Sequence, residues 1–155
     1  MSAAVFALLF VFLVGVWEQN YQGILDDRVN ENMRGRATQV ADLLVKTTGY
    51  PTDWNLNPGA ARSIGLATKE YVLSPTKVNA FAGVDYNTAK EKLGVQNYEF
   101  HFRIIGLDTG NSTLDTKIGR DTNNDTKAAF QVRRIVTYGS ANSGRAEVRF
   151  TLWKR

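Results

Sequence analysis

The chain has 155 residues, of which 43% are hydrophobic and 22% charged, so it fits one folded domain with an extension. It contains no cysteine and one histidine, which excludes disulfides and thiol nucleophiles and leaves little for a histidine-based catalytic or metal site. The net charge is +4 at pH 7. Four basic and five acidic residues leave −1 within 1–46, so the basic excess lies in the rest of the chain.

The first seventeen residues carry no charge. A helix of this composition is apolar on every side and must be buried all round, either in lipid or in a protein assembly. The run is slightly short of the roughly 20 residues that span a bilayer, but it continues into uncharged polar residues after Glu18. The first basic residue is Arg28, which does not match the basic start of a secretory signal peptide. Residues 1–23 are therefore predicted to be a membrane-anchoring helix.

An amphipathic helix follows without a break. Lys46, Gly49 and Pro51 mark its end, since a basic last turn, a glycine and a proline are typical of helix termination. We predict one continuous α-helix over about 2–46, whose second half rests on a core. The apolar residues that recur at spacings of three and four are Ile24, Leu25, Val29, Met33, Ala37, Val40, Ala41 and Leu44.

Residues 47–96 are rich in turn-forming residues and predict connections with short helices, over about 59–94. Ser74 followed by Pro75 is a helix-start signal, because serine caps the helix and proline fits its first position. Asp85 can cap a second short helix that Gly94 closes. These segments predict a scaffold and contain no catalytic spacing.

Alternation with period two begins near residue 97 and predicts an antiparallel sheet over about 97–154. Residues 98–104, 130–137 and 146–152 alternate apolar and polar side chains, and the turn at 139–144 joins the last two as a hairpin. Residues 112–119 could supply a weaker strand. The predicted fold class is α+β, with the second half of the long helix packed on a small antiparallel sheet and with a head over 24–155.

Few residues suit catalysis or metal binding. His101 lies at a polar position of its strand without an evident partner and is interpreted as a surface residue. Asp121, Asn123 and Asp125 hint at a calcium loop, but the glycine and the distal glutamate of that motif are missing, so a polar turn is preferred. The sequence predicts no enzyme and no catalytic, cofactor-binding or metal residues.

A basic cluster and two sequons have more than one interpretation. The basic residues of the last hairpin could contact nucleic acid or another anionic polymer, but such residues more often form a solvated sheet face, and no specific nucleic acid is predicted. Asn111 and Asn124 begin Asn-x-Thr/Ser triplets in polar loops and are candidate N-glycosylation sites. The basic residues are Arg133, Arg134, Arg145, Arg149, Lys154 and Arg155.

The apolar helix, the amphipathic helix and the sheet together resemble the type IV pilin superfamily, in particular archaeal pilins and pilin-like proteins. The segments that resemble an archaeal pilin-like head are 41–54, 64–67, 78–81 and 98–104. Val5 stands where the bacterial branch carries a glutamate, which favours the archaeal branch. No basic leader precedes the apolar run, so we expect either that the sequence is the mature form or that its true start is upstream or misassigned.

The resemblance implies a precursor cut by a prepilin peptidase, and assembly by an ATPase and a membrane platform. The subunit would lie in the cytoplasmic membrane and then join an extracellular filament of many copies at the cell surface, with helices in the filament core and heads outside. The alternative is a membrane-tethered extracytoplasmic adhesion or binding domain, or a minor tip subunit. The residues predicted to form the filament core are Val5, Phe6, Leu8, Leu9, Phe10, Val11, Phe12, Leu13, Val14, Val16 and Trp17.

Overall fold

The computed structural model describes residues 3–108, 114–122, 128–139 and 144–154, and it describes their side chains except in 3–9 and 18–27. The chain forms two compact units, Met1–Asn32 and Met33–Arg155. The second unit is called the head below. The α-helices and strands are α1 (Ala3–Lys46), β1 (Gly49–Tyr50), β2 (Ser63–Ile64), β3 (Ala67–Lys69), β4 (Val72–Leu73), α2 (Pro75–Ala82), α3 (Tyr86–Lys92), β5 (Glu99–Gly106), β6 (Asp115–Gly119), β7 (Ala129–Tyr138) and β8 (Arg145–Trp153).

Helix α1 ends at Lys46, as its termination signals predict. Its buried residues begin at Met33, whereas Val29, which the apolar stripe places in the core, is 40% exposed. The prediction that Val29 belongs to the buried stripe is therefore wrong, and the side chains of Ile24 and Leu25 lie outside the described ones. The α1 residues in the hydrophobic core are Met33, Ala37, Val40, Ala41, Leu44 and Val45.

The predicted fold class is wrong in its sheet as well. The head contains a six-stranded mixed sheet in the order β3-β4-β7-β8-β5-β6 and a separate two-stranded sheet of β1 and β2. Strands β4 and β7 are parallel, and the other neighbours are antiparallel. Strands β3 and β4 have three and two residues, which is too short to show period-two alternation in the sequence.

The C-terminal end of α1 explains why these short strands form where they do. The last carbonyl groups of a helix have no partner within it and need donors from elsewhere. Backbone N–H groups from the β3–β4 region supply donors for two carbonyls of α1, those of Leu44 and Val45. The two residues after the helix are also bonded, since Lys77 Nζ of α2 donates to the carbonyl oxygen of Thr48 at 2.6 Å. The backbone bonds run from Leu66 to Leu44 (2.9 Å), from Ala67 to Thr47 (3.0 Å) and from Tyr71 to Val45 (2.8 Å).

The prediction of only connections and short helices over 47–96 is incomplete, since β1–β4 lie in this segment. The two capped helices and the strands after residue 97 are found. The Ser74 side chain accepts a hydrogen bond from the Lys77 N–H at the start of α2, and Asp85 caps α3. Strands β7 and β8 form the predicted antiparallel hairpin, and β6 is the weaker strand expected within 112–119. The hairpin turn at 140–143 lies outside the described residues.

Aromatic rings fill the centre of the head. The Phe100 ring of β5 stacks with that of Phe150 in β8, with ring centroids 5.8 Å apart. Phe81 of α2 packs edge-on against Phe102 at 5.6 Å, so α2 covers this part of the sheet. All four phenylalanines are fully buried. The alternation along β5 and β8 therefore gives one core face and one outer face, as period two requires.

Gly65 lies in a tight contact beside the end of α1. The Trp54 Nε1–H donates to the Gly65 carbonyl oxygen at 2.9 Å. A Cβ added at Gly65 would collide with the backbone atoms Gly49 N and Thr47 O. The close approach of these backbone segments therefore requires glycine at this position.

We expect Gly65→Ala to lower the free energy of unfolding by about 1–3 kcal/mol, the usual cost of overpacking. Gly59→Ala is the matched control, because its Cβ would have only Asn57 Oδ1 nearby, at 3.7 Å. Thermal unfolding of the full chain in a mild nonionic detergent measures both variants. Equal stability of the two would contradict the proposed backbone contact.

Candidate interaction surfaces

The first candidate surface is the apolar part of α1 within the unit Met1–Asn32. Phe12 is 69% exposed and Trp17 is 75% exposed, although both are large apolar side chains. Contiguous exposed apolar surface on this scale is typical of interaction sites. The side chains of Val5, Phe6, Leu8 and Leu9 lie outside the described ones. The predicted core residues that are described and exposed are Phe10, Val11, Phe12, Leu13, Val14, Val16 and Trp17.

The second candidate surface is the outer face of the sheet, opposite the phenylalanine core. One row of directly paired residues crosses four strands there, and all four residues are basic. We call these residues the cation row. The row runs from Lys117 in β6 to Arg103 in β5, Arg149 in β8 and Arg133 in β7.

Two carboxylates partly neutralise the cation row. Asp115 accepts two hydrogen bonds from Arg103, both at 2.7 Å, and this bidentate pair lowers the pKa of Asp115. Glu147 accepts a hydrogen bond from Arg149 Nη2 at 2.9 Å and lies 3.6 Å from Arg133 Nε. The Arg149 hydrogen bond is the main cause that lowers the pKa of Glu147.

The basic cluster predicted on the last hairpin is divided between different surroundings. Arg134 Nε donates to Asp42 of α1 at 2.9 Å, so it ties the sheet to the helix. Arg145 pairs with Asp108 at 3.2 Å, and Lys154 is exposed. Only Arg133 and Arg149 of that cluster join the cation row, and Arg155 lies outside the described residues.

Arg103 and Lys117 are neighbours of this cluster that the sequence did not predict. Alternation places Arg103 on the polar face of its strand, and a weaker strand is expected around Lys117. Their alignment with Arg149 and Arg133 depends on strand order and register. Neither the strand order nor the register can be deduced from residues that are close together in the sequence.

A polar cluster around Glu99 joins α3 to the sheet. The Tyr86 hydroxyl donates to Glu99 Oε2 at 2.7 Å, and Lys90 Nζ donates to Oε1 at 3.1 Å. The Arg120 guanidinium lies 3.5 Å from the same carboxylate and 5.1 Å from the centre of the Tyr86 ring. The Phe100 N–H donates to the Tyr86 hydroxyl at 3.0 Å. These bonds fix the start of α3 against β5.

The ionisation of this cluster follows from its contacts. Burial raises the pKa of Tyr86 to about 12, and the hydrogen bond to Glu99 acts in the same direction. Burial also raises the pKa of Glu99, but the hydrogen bonds from Tyr86 and Lys90 and the nearby positive charges outweigh it, so the pKa lies below its ordinary value. Glu99 is therefore ionised and Tyr86 protonated at neutral pH.

An open cleft of about 430 Å³ lies beside this cluster, between β6, the C-terminal end of α2 and the N-terminal half of α3. Phe100 and Ile118 contribute apolar surface to it, and both are buried. Lys117 and Arg120 bring positive charge to its lining. The cleft therefore adjoins the Lys117 end of the cation row.

His101 lies on the outer face of β5, as the alternation predicts, but its side chain is only 18% exposed. Its Nε2 lies 3.4 Å from Asp121 Oδ1 and has no hydrogen-bond partner in the described part of the chain. Burial lowers the pKa of His101, and the charges of Lys117 and Arg103 act in the same direction. The imidazole is therefore neutral at pH 7.

The candidate metal and glycan sites fall largely on residues that the structure does not describe. Two residues of the calcium-loop-like segment, Asn123 and Asp125, lie outside the described ranges. The sequon residues Asn111 and Asn124 lie outside them as well. Within those ranges, no three histidine, aspartate or glutamate side chains are grouped to hold a metal ion. Glycosylation at the two sequons stays a prediction.

Comparison with protein-family models, with curated proteins and with solved structures gives no match for this chain. Among the described residues, no helix combines the length and the apolar content needed to cross a membrane. The resemblance to archaeal type IV pilins therefore stays a prediction.

Glu99 provides a test of the polar cluster through pH. Because its pKa is lowered in the folded chain, the ionised carboxylate contributes stability above about pH 4.5, and this contribution is lost as pH falls through the folded pKa. We expect Glu99→Gln to lower the free energy of unfolding by about 1–3 kcal/mol at pH 7, because it removes charge-assisted hydrogen bonds. The difference from the wild type should shrink at pH 3.

Urea unfolding at both pH values measures this difference. Glu91→Gln is the control, since that side chain is 66% exposed and its ion pair with Lys92 is long, at 3.9 Å. We expect it to change stability by less than about 0.5 kcal/mol. A Glu99→Gln effect that is as large at pH 3 as at pH 7 would show that the charge is not the cause.

Proposed function

We propose that this protein is the structural subunit of a helical filament at the cell surface, and that it polymerises through its apolar N-terminal helix. The observation that carries the proposal is the exposed apolar surface of α1 between Phe10 and Trp17. The fold that the sequence predicts for the head is wrong, but the proposal does not depend on it.

The exposed surface has a large cost in water. Burying one medium or large apolar side chain contributes about 1.5–3 kcal/mol, so the seven exposed ones account for a gross term on the order of 10–20 kcal/mol. The sum is an upper bound, because these side chains are 40–75% exposed and thus already partly covered within the helix. A single chain therefore requires an apolar partner along this helix.

Copies of the same helix are a suitable partner. A two-helix contact buries one stripe, but residues 10–17 are exposed and apolar at every position except Gly15. Several neighbours are needed to cover such a helix on all sides. Contacts between different patches of identical subunits form an open helical filament when the rotation does not close.

The pilin resemblance adds to this proposal. Archaeal type IV pilins assemble from membrane-inserted subunits, and by analogy we propose the same route here. The lipid bilayer would cover the apolar helix before assembly, and neighbouring helices would cover it afterwards. The peptidase, ATPase and membrane platform implied by the resemblance belong to this proposal.

We expect Phe12→Asp to abolish filaments, because a carboxylate would be buried among apolar helices without a partner. Leu56→Asp is the matched control. It introduces the same charge at an apolar side chain of the head that is 79% exposed, and we expect normal filaments from it. Electron microscopy of filaments sheared from cells that express each variant measures the outcome.

Normal filaments containing the Phe12→Asp chain would contradict the proposal. The chain must also be the repeating mass of the purified filaments. If it remains in detergent-extracted membranes and is absent from sheared filaments, the alternative of a tethered binding domain is correct instead. If it occurs in filaments only as a trace component, it is a minor subunit.

A further inference from the structure

The cation row is an unusual arrangement for an outer sheet face. Directly opposite residues on neighbouring strands have Cβ atoms about 4.5–5.5 Å apart, and like charges at that distance are destabilising. Here the opposed pairs are Lys117 with Arg103, Arg103 with Arg149, and Arg149 with Arg133. At the usual strand spacing of about 4.8 Å, the four positions form a straight row about 14 Å long.

Compensation of this charge within the described chain is incomplete. Asp115 neutralises Arg103, and Glu147 is shared by Arg149 and Arg133. Lys117 has no acidic side chain within 4 Å in the part of the chain that the structure describes. Asp121 is a third carboxylate near the row, since its charge also acts on Arg103. Four cations against three carboxylates leave an excess of one positive charge along the row. Arg133 and Lys117, at its two ends, are exposed and open to an external anion.

The next row of the same face carries uncharged polar groups. His101, Thr151 and Gln131 are paired in sequence across β5, β8 and β7, and Gln131 Nε2 donates to Thr151 Oγ1 at 3.2 Å. The exposed Gln131 amide can bond to hydroxyl groups of a ligand. Thr151 is only 8% exposed and His101 Nε2 is buried, so Gln131 is the accessible member of this row beside the positive charges.

The chemistry of the two rows distinguishes between classes of polyanion. Single-stranded nucleic acid binds on aromatic side chains that stack with its bases. Neither row contains phenylalanine, tyrosine or tryptophan, and the nearby Trp153 is only 5% exposed. Ile135 is 56% exposed on the same face, but it lies in β7 beside the Arg133 end of the row. A protein partner would require an apolar or aromatic anchor at the centre of the surface, whereas the centre of this row is charged.

From this arrangement we infer that the outer face of the sheet binds an acidic polysaccharide. Its carboxylates lie along the row of Lys117, Arg103, Arg149 and Arg133, and its hydroxyl groups contact the exposed Gln131 amide beside the row. Binding is electrostatic, so it weakens as salt rises. The inference concerns the head and does not depend on filament assembly.

Binding of polygalacturonate to the full chain in nonionic detergent tests the inference. We expect the double variant Lys117→Gln/Arg133→Gln to bind about tenfold more weakly, because it removes both exposed cations at the ends of the row. A double variant is used because a single exposed ionic contact contributes little. The variant Lys117→Arg/Arg133→Lys keeps both charges and should bind within about twofold of wild type. Thermal unfolding of each variant confirms that the head is folded.

The charge-matched control is Arg62→Gln/Lys69→Gln, which removes two exposed cations away from the cation row. We expect this variant to bind polygalacturonate like the wild type. Equal losses in the two double variants would overturn the inference, since net charge alone would then explain binding. It would also be overturned if wild type does not bind polygalacturonate at low salt, or binds single-stranded oligothymidylate more tightly.

Discussion

The head depends on how the C-terminal end of α1 is closed. Helix ends leave carbonyl groups that need donors, and here the backbone around β3 and β4 supplies them. The buried Lys77 adds a charged donor from α2, where positive charge also suits the negative end of the helix dipole. Because β4 then lies beside β7, the same bonds position the parallel pair that extends the hairpin into a mixed sheet.

The two faces of the sheet follow from that arrangement and have different chemistry. The inner face packs phenylalanine rings against each other and against α2, and Arg134 holds the helix to the sheet through Asp42. The outer face receives the alternate residues of the same strands, where the cation row lies. One set of strand registers therefore fixes both the core and the proposed polysaccharide surface.

Sequence periodicity predicted the elements whose signal is local. The caps Ser74 and Asp85, the end of α1 at Lys46 and the alternation in β5 and β8 are all found. The apolar stripe of α1 was extended too far, since Val29 is exposed although its spacing fits the stripe. Periodicity shows which side chains share a helix face but not where a neighbouring element begins to cover that face.

The sequence by itself determined the apolar character of residues 1–17, the helix boundaries with capping signals and the alternating strands of the last hairpin. These properties depend on residues a few positions apart, so propensity and spacing carry them. Only the tertiary structure decided the six-stranded mixed sheet, the pairing of β4 with β7 and the alignment of Lys117 with Arg103, Arg149 and Arg133. Backbone hydrogen bonds between distant segments set those features, and such bonds are nearly independent of side-chain identity.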